Sequence, residues 1–330
     1  MKNIYKLTVL FFIVSCSNSP LSDTEKKDYF NAFLKIIKNN SIRKDSIDLE
    51  MIQEKIFSNL DEIKSIEDCH QVVKTTLLEL KDNHSFFMDK KEVEKWSSTS
   101  SDYRKKDLIT FTGKLLDADI GFIKMNGFSC GDSLSCMYYS DSLQGLIKSI
   151  DRKNLKGWVL DLRENTGGNC WPMLAGIGSL LGEGVCGFFL DAHENSSSLY
   201  YENGVAGMDS TPLVRVSRKP YELYNKNAPV AVLTGENTMS SGEIVAIAFR
   251  GKTNAKSFGG STKGLSTGNT SYFLPDSSVV FLTSAIDADR KGKFYGGKIV
   301  PDSLIEERWG NLIRKSDNTV DVAKEWINNF

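Results

Sequence analysis

Two stretches of this chain follow one plan: a short unbroken apolar run, a turn rich in glycine or hydroxyl residues, then a helical pattern. Trp158-Val159-Leu160-Asp161-Leu162-Arg163 leads through Gly167-Gly168 into Trp171 to Leu181. Pro229-Val230-Ala231-Val232-Leu233 leads through Ser240-Ser241-Gly242 into Glu243 to Phe249. Unbroken apolar runs, unlike alternating ones, mark strands covered on both faces. Such strands with helices between them run parallel, because each connection must cross over. Ile120 to Met125, Val185 to Leu190 and Val279 to Thr283 add strands, and Ser140 to Ile150 adds a helix. From about residue 108 the pattern therefore predicts an α/β domain around a mixed, mostly parallel sheet.

Ahead of residue 108 the texture is helical. Ser22-x-x-Glu25 is a capping-box pattern, followed by Tyr29, Phe30, Phe33, Leu34 and Ile37 at helical spacing. Ile52, Ile56, Phe57 and Leu60 repeat it, as do Ile66, Cys69, Val73 and Leu77. The expected organisation is a small helical domain at 16–92, a Ser-rich linker at 93–107, the α/β core at 108–315 and a closing helix at 316–330. Residues 1–15 read as a targeting segment: Lys2 and Lys6 precede the apolar run Leu7 to Val14, which is too short to span a bilayer. The run ends at Ser15-Cys16 and resembles a bacterial lipoprotein signal cut before Cys16, whose thiol would carry the lipid. The expectation is an exported chain, anchored at the cell envelope.

Composition excludes several partners. With 40% hydrophobic and 25% charged residues and a formal charge of -1, the chain has an ordinary globular make-up. No basic stripe interleaves with aromatics, so nucleic acid is not an expected partner. His70, His84 and His193 are scattered and no paired CxxC occurs, so no metal site is expected. His70 falls beside an apolar helical face, where packing or solvation accounts for it. Beyond Cys16 the cysteines are Cys69, Cys130, Cys136, Cys170 and Cys186. Export permits disulfides; Cys130 and Cys136 flank a loop and are the expected pair, and the odd count leaves a thiol free.

Three segments carry candidate chemistry. In Asp161-Leu162-Arg163-Glu164-Asn165-Thr166-Gly167-Gly168-Asn169 the paired glycines let backbone N–H groups approach an anion, although a plain strand–helix turn would look the same. Thr238-Met239-Ser240-Ser241-Gly242-Glu243 sets a serine on the first turn of a helix, among unpaired N–H groups at the positive end of the dipole. That suits a nucleophile, and Ser-x-x-Glu is equally a capping box. Leu80-Lys81-Asp82-Asn83-His84-Ser85 puts a histidine just past a helix. Taken in order, with Phe258-Gly259-x-x-Thr262-x-Gly264 and Ile299-Val300-Pro301-Asp302, these segments resemble the S41 peptidases. That family contains the C-terminal processing and tricorn-core proteases, and the resemblance spans roughly residues 75–305.

The resemblance implies a crotonase-like core behind the small helical domain, and a serine peptidase that cuts polypeptides without a cofactor. Ser240 would attack the scissile carbonyl, with Ser241 the competing nucleophile. The N–H of Ser241 and one from Gly167-Gly168 would hold the oxyanion, each donor worth about 3 to 4 kcal/mol in comparable sites. The tricorn-like branch draws its base from an N-terminal histidine, which matches His84, and a neutral imidazole accepts a proton at neutral pH. The processing branch uses a lysine directly after the Thr-x-Gly glycine. That slot is Leu265 here, and Lys263, two residues earlier, is the alternative base. The orienting Glu of the tricorn-like branch has no counterpart in Phe294-Tyr295-Gly296-Gly297-Lys298, which leaves Asp287 and Asp289 as acids to test. Fewer than 30 residues separate His84 from the core strand near 109, too few for a PDZ domain. Residues 191–228, with Tyr200, Tyr201, Met208 and Tyr221, either line the cleft or form a surface hairpin. Two other functions stand beside the peptidase: a binding protein on an inactive peptidase fold, and acyl-CoA chemistry of the crotonase kind.

Overall fold

The computed structural model describes residues 21–97, 105–305 and 317–330. The expected signal segment, Cys16 and the serine run after Ser97 lie outside the described residues. Ser22 starts helix α1 (Asp23–Asn40) through a reciprocal box: its N–H donates to Glu25 at 2.8 Å and its hydroxyl accepts from the Glu25 N–H at 3.3 Å. Asp48 caps α2 (Leu49–Ser58), and Ser65 caps α3 (Ile66–Glu79). Phe30, Phe33, Ile37, Ile52, Ile56, Val73 and Leu77 bury as their spacing predicts. They do not close a core alone. Leu274, Val280 and Leu282, from far down the chain, complete it, so the helices form a layer on a sheet. β1 (Phe86–Met88) and α4 (Lys90–Ser97) follow, so the segment expected as a linker begins as a helix.

The chain continues through β2 (Phe111–Leu116), β3 (Ile120–Met125), α5 (Ser133–Ile150), β4 (Gly157–Asp161), α6 (Cys170–Gly176) and α7 (Gly178–Leu181). Next come β5 (Gly184–Asp191), β6 (Ser196–Glu202), β7 (Val205–Met208), β8 (Thr211–Arg215), β9 (Val230–Thr234) and α8 (Ser241–Phe249). β10 (Ala255–Gly259), β11 (Thr267–Phe273), β12 (Val279–Asp289), β13 (Ser303–Leu304) and a last helix, Asn318–Asn328, complete the order. One sheet runs β13-β10-β9-β4-β3-β2 and is parallel except between β2 and β3. β4 and β9 are buried at every residue and form its centre. Their side chains divide by turns, as a pleated strand requires. Trp158, Leu160, Val230 and Val232 pack with α5, α6 and α8, while Val159, Ala231 and Leu233 pack with Ala323 and Ile327 of the last helix.

The other strands form a second sheet, antiparallel throughout: β1-β12-β5-β6-β7-β8, with β11 also paired to β12. The runs beginning at Val185 and Val279 belong to this sheet. Much of 191–228 is the β6–β8 meander, which puts Met208 on the cleft and packs Tyr201 so closely that a Cβ on Gly178 would lie 1.9 Å from its ring. α5 begins at Ser133, ahead of the expected Ser140, because Asp132 accepts from the Ser135 N–H at 2.8 Å. The expected Cys130–Cys136 disulfide is not formed; the five described cysteines are free thiols. Cys136 sits inside α5 with its thiol on the Cys130 carbonyl at 3.5 Å, and the Cys130 thiol donates to Asp132 at 2.9 Å. No helix among the described residues is long and apolar enough to cross a membrane.

Candidate active site

Between β9 and α8 the backbone must turn sharply, and Ser240 takes it at φ 52° and ψ -120°. A residue with a Cβ is strained there and stays only where its surroundings over-determine it. Three bonds do so: Thr238 Oγ1 donates to Leu162 O at 2.8 Å, the Met239 N–H to Asn165 O at 3.0 Å, and the Ser240 N–H to Glu243 at 2.9 Å. The fully buried Glu243 also accepts from the Thr262 hydroxyl at 2.5 Å, the Gly264 N–H at 3.0 Å and the Leu265 N–H at 2.8 Å. Burial raises its pKa, and these four donors oppose the rise. Thus Glu243 fastens the serine turn to the Thr262–Leu265 turn. The Glu243 N–H donates to the Ser240 carbonyl at 2.8 Å, and Ser240 lines the cleft.

His84 arrives on the loop between α3 and β1. Asp82 shapes that loop by accepting the N–H of His84 at 2.9 Å, the N–H of Ser85 at 2.8 Å and the Ser85 hydroxyl at 2.6 Å. Asn269 Nδ2 donates to the His84 carbonyl at 2.8 Å. The ring then spans two hydroxyls: Nε2 lies 2.9 Å from Ser240 Oγ, and Nδ1 lies 2.7 Å from Thr267 Oγ1. Burial pulls the imidazole pKa down to about 4, and the nearby Asp82 charge opposes that only in part. Thr267, the first residue of β11, was not among the sequence candidates. Its one signal was position, two residues past the slot where a lysine was sought.

Neither expected acid reaches His84. Both lie where β12 pairs with β5, beyond the stretch of β12 that pairs with β1 next to the histidine loop. Asp289 accepts the N–H groups of Lys291 at 2.9 Å and Lys293 at 3.1 Å and the Tyr295 hydroxyl at 2.9 Å, a turn-capping role. Asp287 is buried with no partner for either carboxyl oxygen among the described residues. Burial, then the Glu243 charge, drives its pKa well above the usual carboxylate range. Lys263 is exposed and outside the cleft, its N–H on Thr238 O at 2.9 Å, whereas Leu265 lines the cleft.

The paired glycines stand against the serine. Gly167 and Gly168 have φ 91° and 117°, and an added Cβ would lie 2.9 Å from Ser240 Cβ at the first and 2.0 Å from Phe128 O at the second. Asn165 Oδ1 takes the Gly167 N–H at 3.0 Å. The N–H groups of Gly168 and Ser241 have no hydrogen-bond partner among the described residues. The Ser241 hydroxyl donates to Gly168 O at 2.7 Å, which engages it away from His84. Around this centre lies a cleft of about 920 Å³ between the two sheets' loops. Among the described residues, no group of His, Cys, Asp and Glu is placed to hold a metal.

Comparison with known proteins identifies the family. Residues 119–305 match the profile of peptidase family S41. The chain is 29% identical to the Nisin-resistance protein of Lactococcus lactis subsp. lactis over 74% of its own length and 69% of that protein's. It is 28% identical to the carboxy-terminal processing protease CtpA of Bacillus subtilis (strain 168) over 55% of this chain and 34% of that one. A lipoprotein from Streptococcus agalactiae shares the fold with a TM-score of 0.73 and 24% identity, covering 99% of both chains.

Proposed function

The chain belongs to peptidase family S41, and from that membership we propose that it cuts polypeptides through an acyl-enzyme on Ser240. His84 Nε2 takes the Ser240 proton as Oγ attacks the scissile carbonyl, then delivers it to the leaving amine. For Nε2 to accept, Nδ1 must carry the other proton, and Thr267 Oγ1 is placed at 2.7 Å to accept it. The N–H groups of Gly168 and Ser241 receive the oxyanion. The reading rests above all on the 2.9 Å separation of Ser240 Oγ and His84 Nε2. A fluorophosphonate probe tests it: the wild type and Ser241→Ala should be labelled, and Ser240→Ala and His84→Ala should not. An unlabelled wild type would make the chain a binding protein on an inactive peptidase fold.

The same proposal includes export and a lipid anchor on Cys16, supported by the charged and apolar segment before it. Cys16→Ser should then leave the membrane fraction. The name of the Nisin-resistance protein makes nisin the first defined peptide to assay with this chain.

A further inference from the structure

Among the described residues β11 is paired on one side only, with β12. Yet its residues from Thr267 to Tyr272 line the cleft beside Ser240. The hairpin that follows settles which backbone groups face outward. The Leu274 N–H donates to Ser278 O at 2.9 Å, so hydrogen-bonded pairs recur at every second position, at Tyr272–Val280 and Thr270–Leu282. Ser271 and Asn269 therefore turn N–H and C=O away from β12. Thr283, opposite Asn269, agrees: its N–H donates to Ser85 Oγ at 2.9 Å and its carbonyl accepts from the Ile42 N–H at 3.1 Å, both on the far side of β12.

An open edge is a template for another strand, and proteins usually blunt one with charge, proline or cover. β11 reads TGNTSYF, with neither charge nor proline. The described cleft lining contains no lysine or arginine, and its single carboxylate, Asp191, is occupied by the N–H groups of His193 and Asn195 at 2.8 Å each. Above the edge, Phe86 stacks on Phe281 at 4.6 Å, with Trp96 edge-on at 5.7 Å.

We infer that an extended, uncharged stretch of the substrate polypeptide adds as a strand to the outer edge of β11. The strand starts at Thr267, which holds His84, so pairing along it delivers the scissile bond to Ser240. Main-chain bonds give affinity in this mode while tolerating many sequences. The inference rests on the hydrolase reading.

The test uses the full chain and oxidised insulin B chain, an unstructured polypeptide, whose cleaved bond is located by mass spectrometry. Peptides spanning that bond are then made with a single backbone N-methyl group at each position in turn. On one side of the bond kcat/KM should fall about tenfold at every second position, the worth of one lost hydrogen bond, and hold between them. A uniform loss, or none, overturns the inference. So does an enzyme that takes the fluorophosphonate at Ser240 but leaves the B chain uncut, since backbone pairing is indifferent to sequence. An unlabelled wild type instead marks failure of the hydrolase reading.

Discussion

A serine, a histidine and a threonine in line leave the imidazole without a carboxylate. With Nδ1 on a neutral hydroxyl, nothing among the described residues stabilises the imidazolium except Asp82, which holds the loop and makes no bond to the ring. Burial then decides, and the ring stays neutral down to about pH 4. On the proposed mechanism, the acid limb of kcat/KM should fall near pH 4. Thr267→Asp would supply the missing charge, and the limb should move to higher pH. Thr267→Ser should keep it in place. A limb unmoved by the aspartate would show that Thr267 does not govern the histidine. Stability has a linked sign. Between about pH 4 and the ordinary histidine value the unfolded chain binds the extra proton, so the fold loses stability as pH falls through that window.

At the scale of elements, the α8 turn depends on one carboxylate. Glu243→Ala would orphan four donors, of Ser240, Thr262, Gly264 and Leu265. It should cost about 3 kcal/mol or more in urea unfolding and remove fluorophosphonate labelling. This region was legible in the sequence because its partners are near neighbours: strand, turn, serine and glutamate follow in order. Thr267 was not, since a threonine in a strand is ordinary and its ring partner lies 183 residues away. Asp287 and Asp289 attracted attention for their charge, yet one caps a turn and the other is buried without a partner. The second sheet was hidden for a related reason. Short apolar runs such as those at Val185 and Val279 look alike whether their partners run parallel or antiparallel.

The whole molecule is held by a core that joins distant parts of the chain. Phe33 in α1 shares it with Val280 and Leu282 in β12, and Leu274 closes it. Phe33→Ala should therefore destabilise the catalytic region as well as the helices, by about 3 to 5 kcal/mol. Far-UV circular dichroism and loss of fluorophosphonate labelling should follow one shared, shifted transition; two separate transitions would mean the helices fold as a domain of their own. Assembly of the centre has the same long reach, since the two atoms 2.9 Å apart belong to residues 156 positions apart, one set by each sheet. On the export proposed above, a chain with one half on either side of a translocation channel would hold no complete centre. It could cut nothing until its last strands had joined.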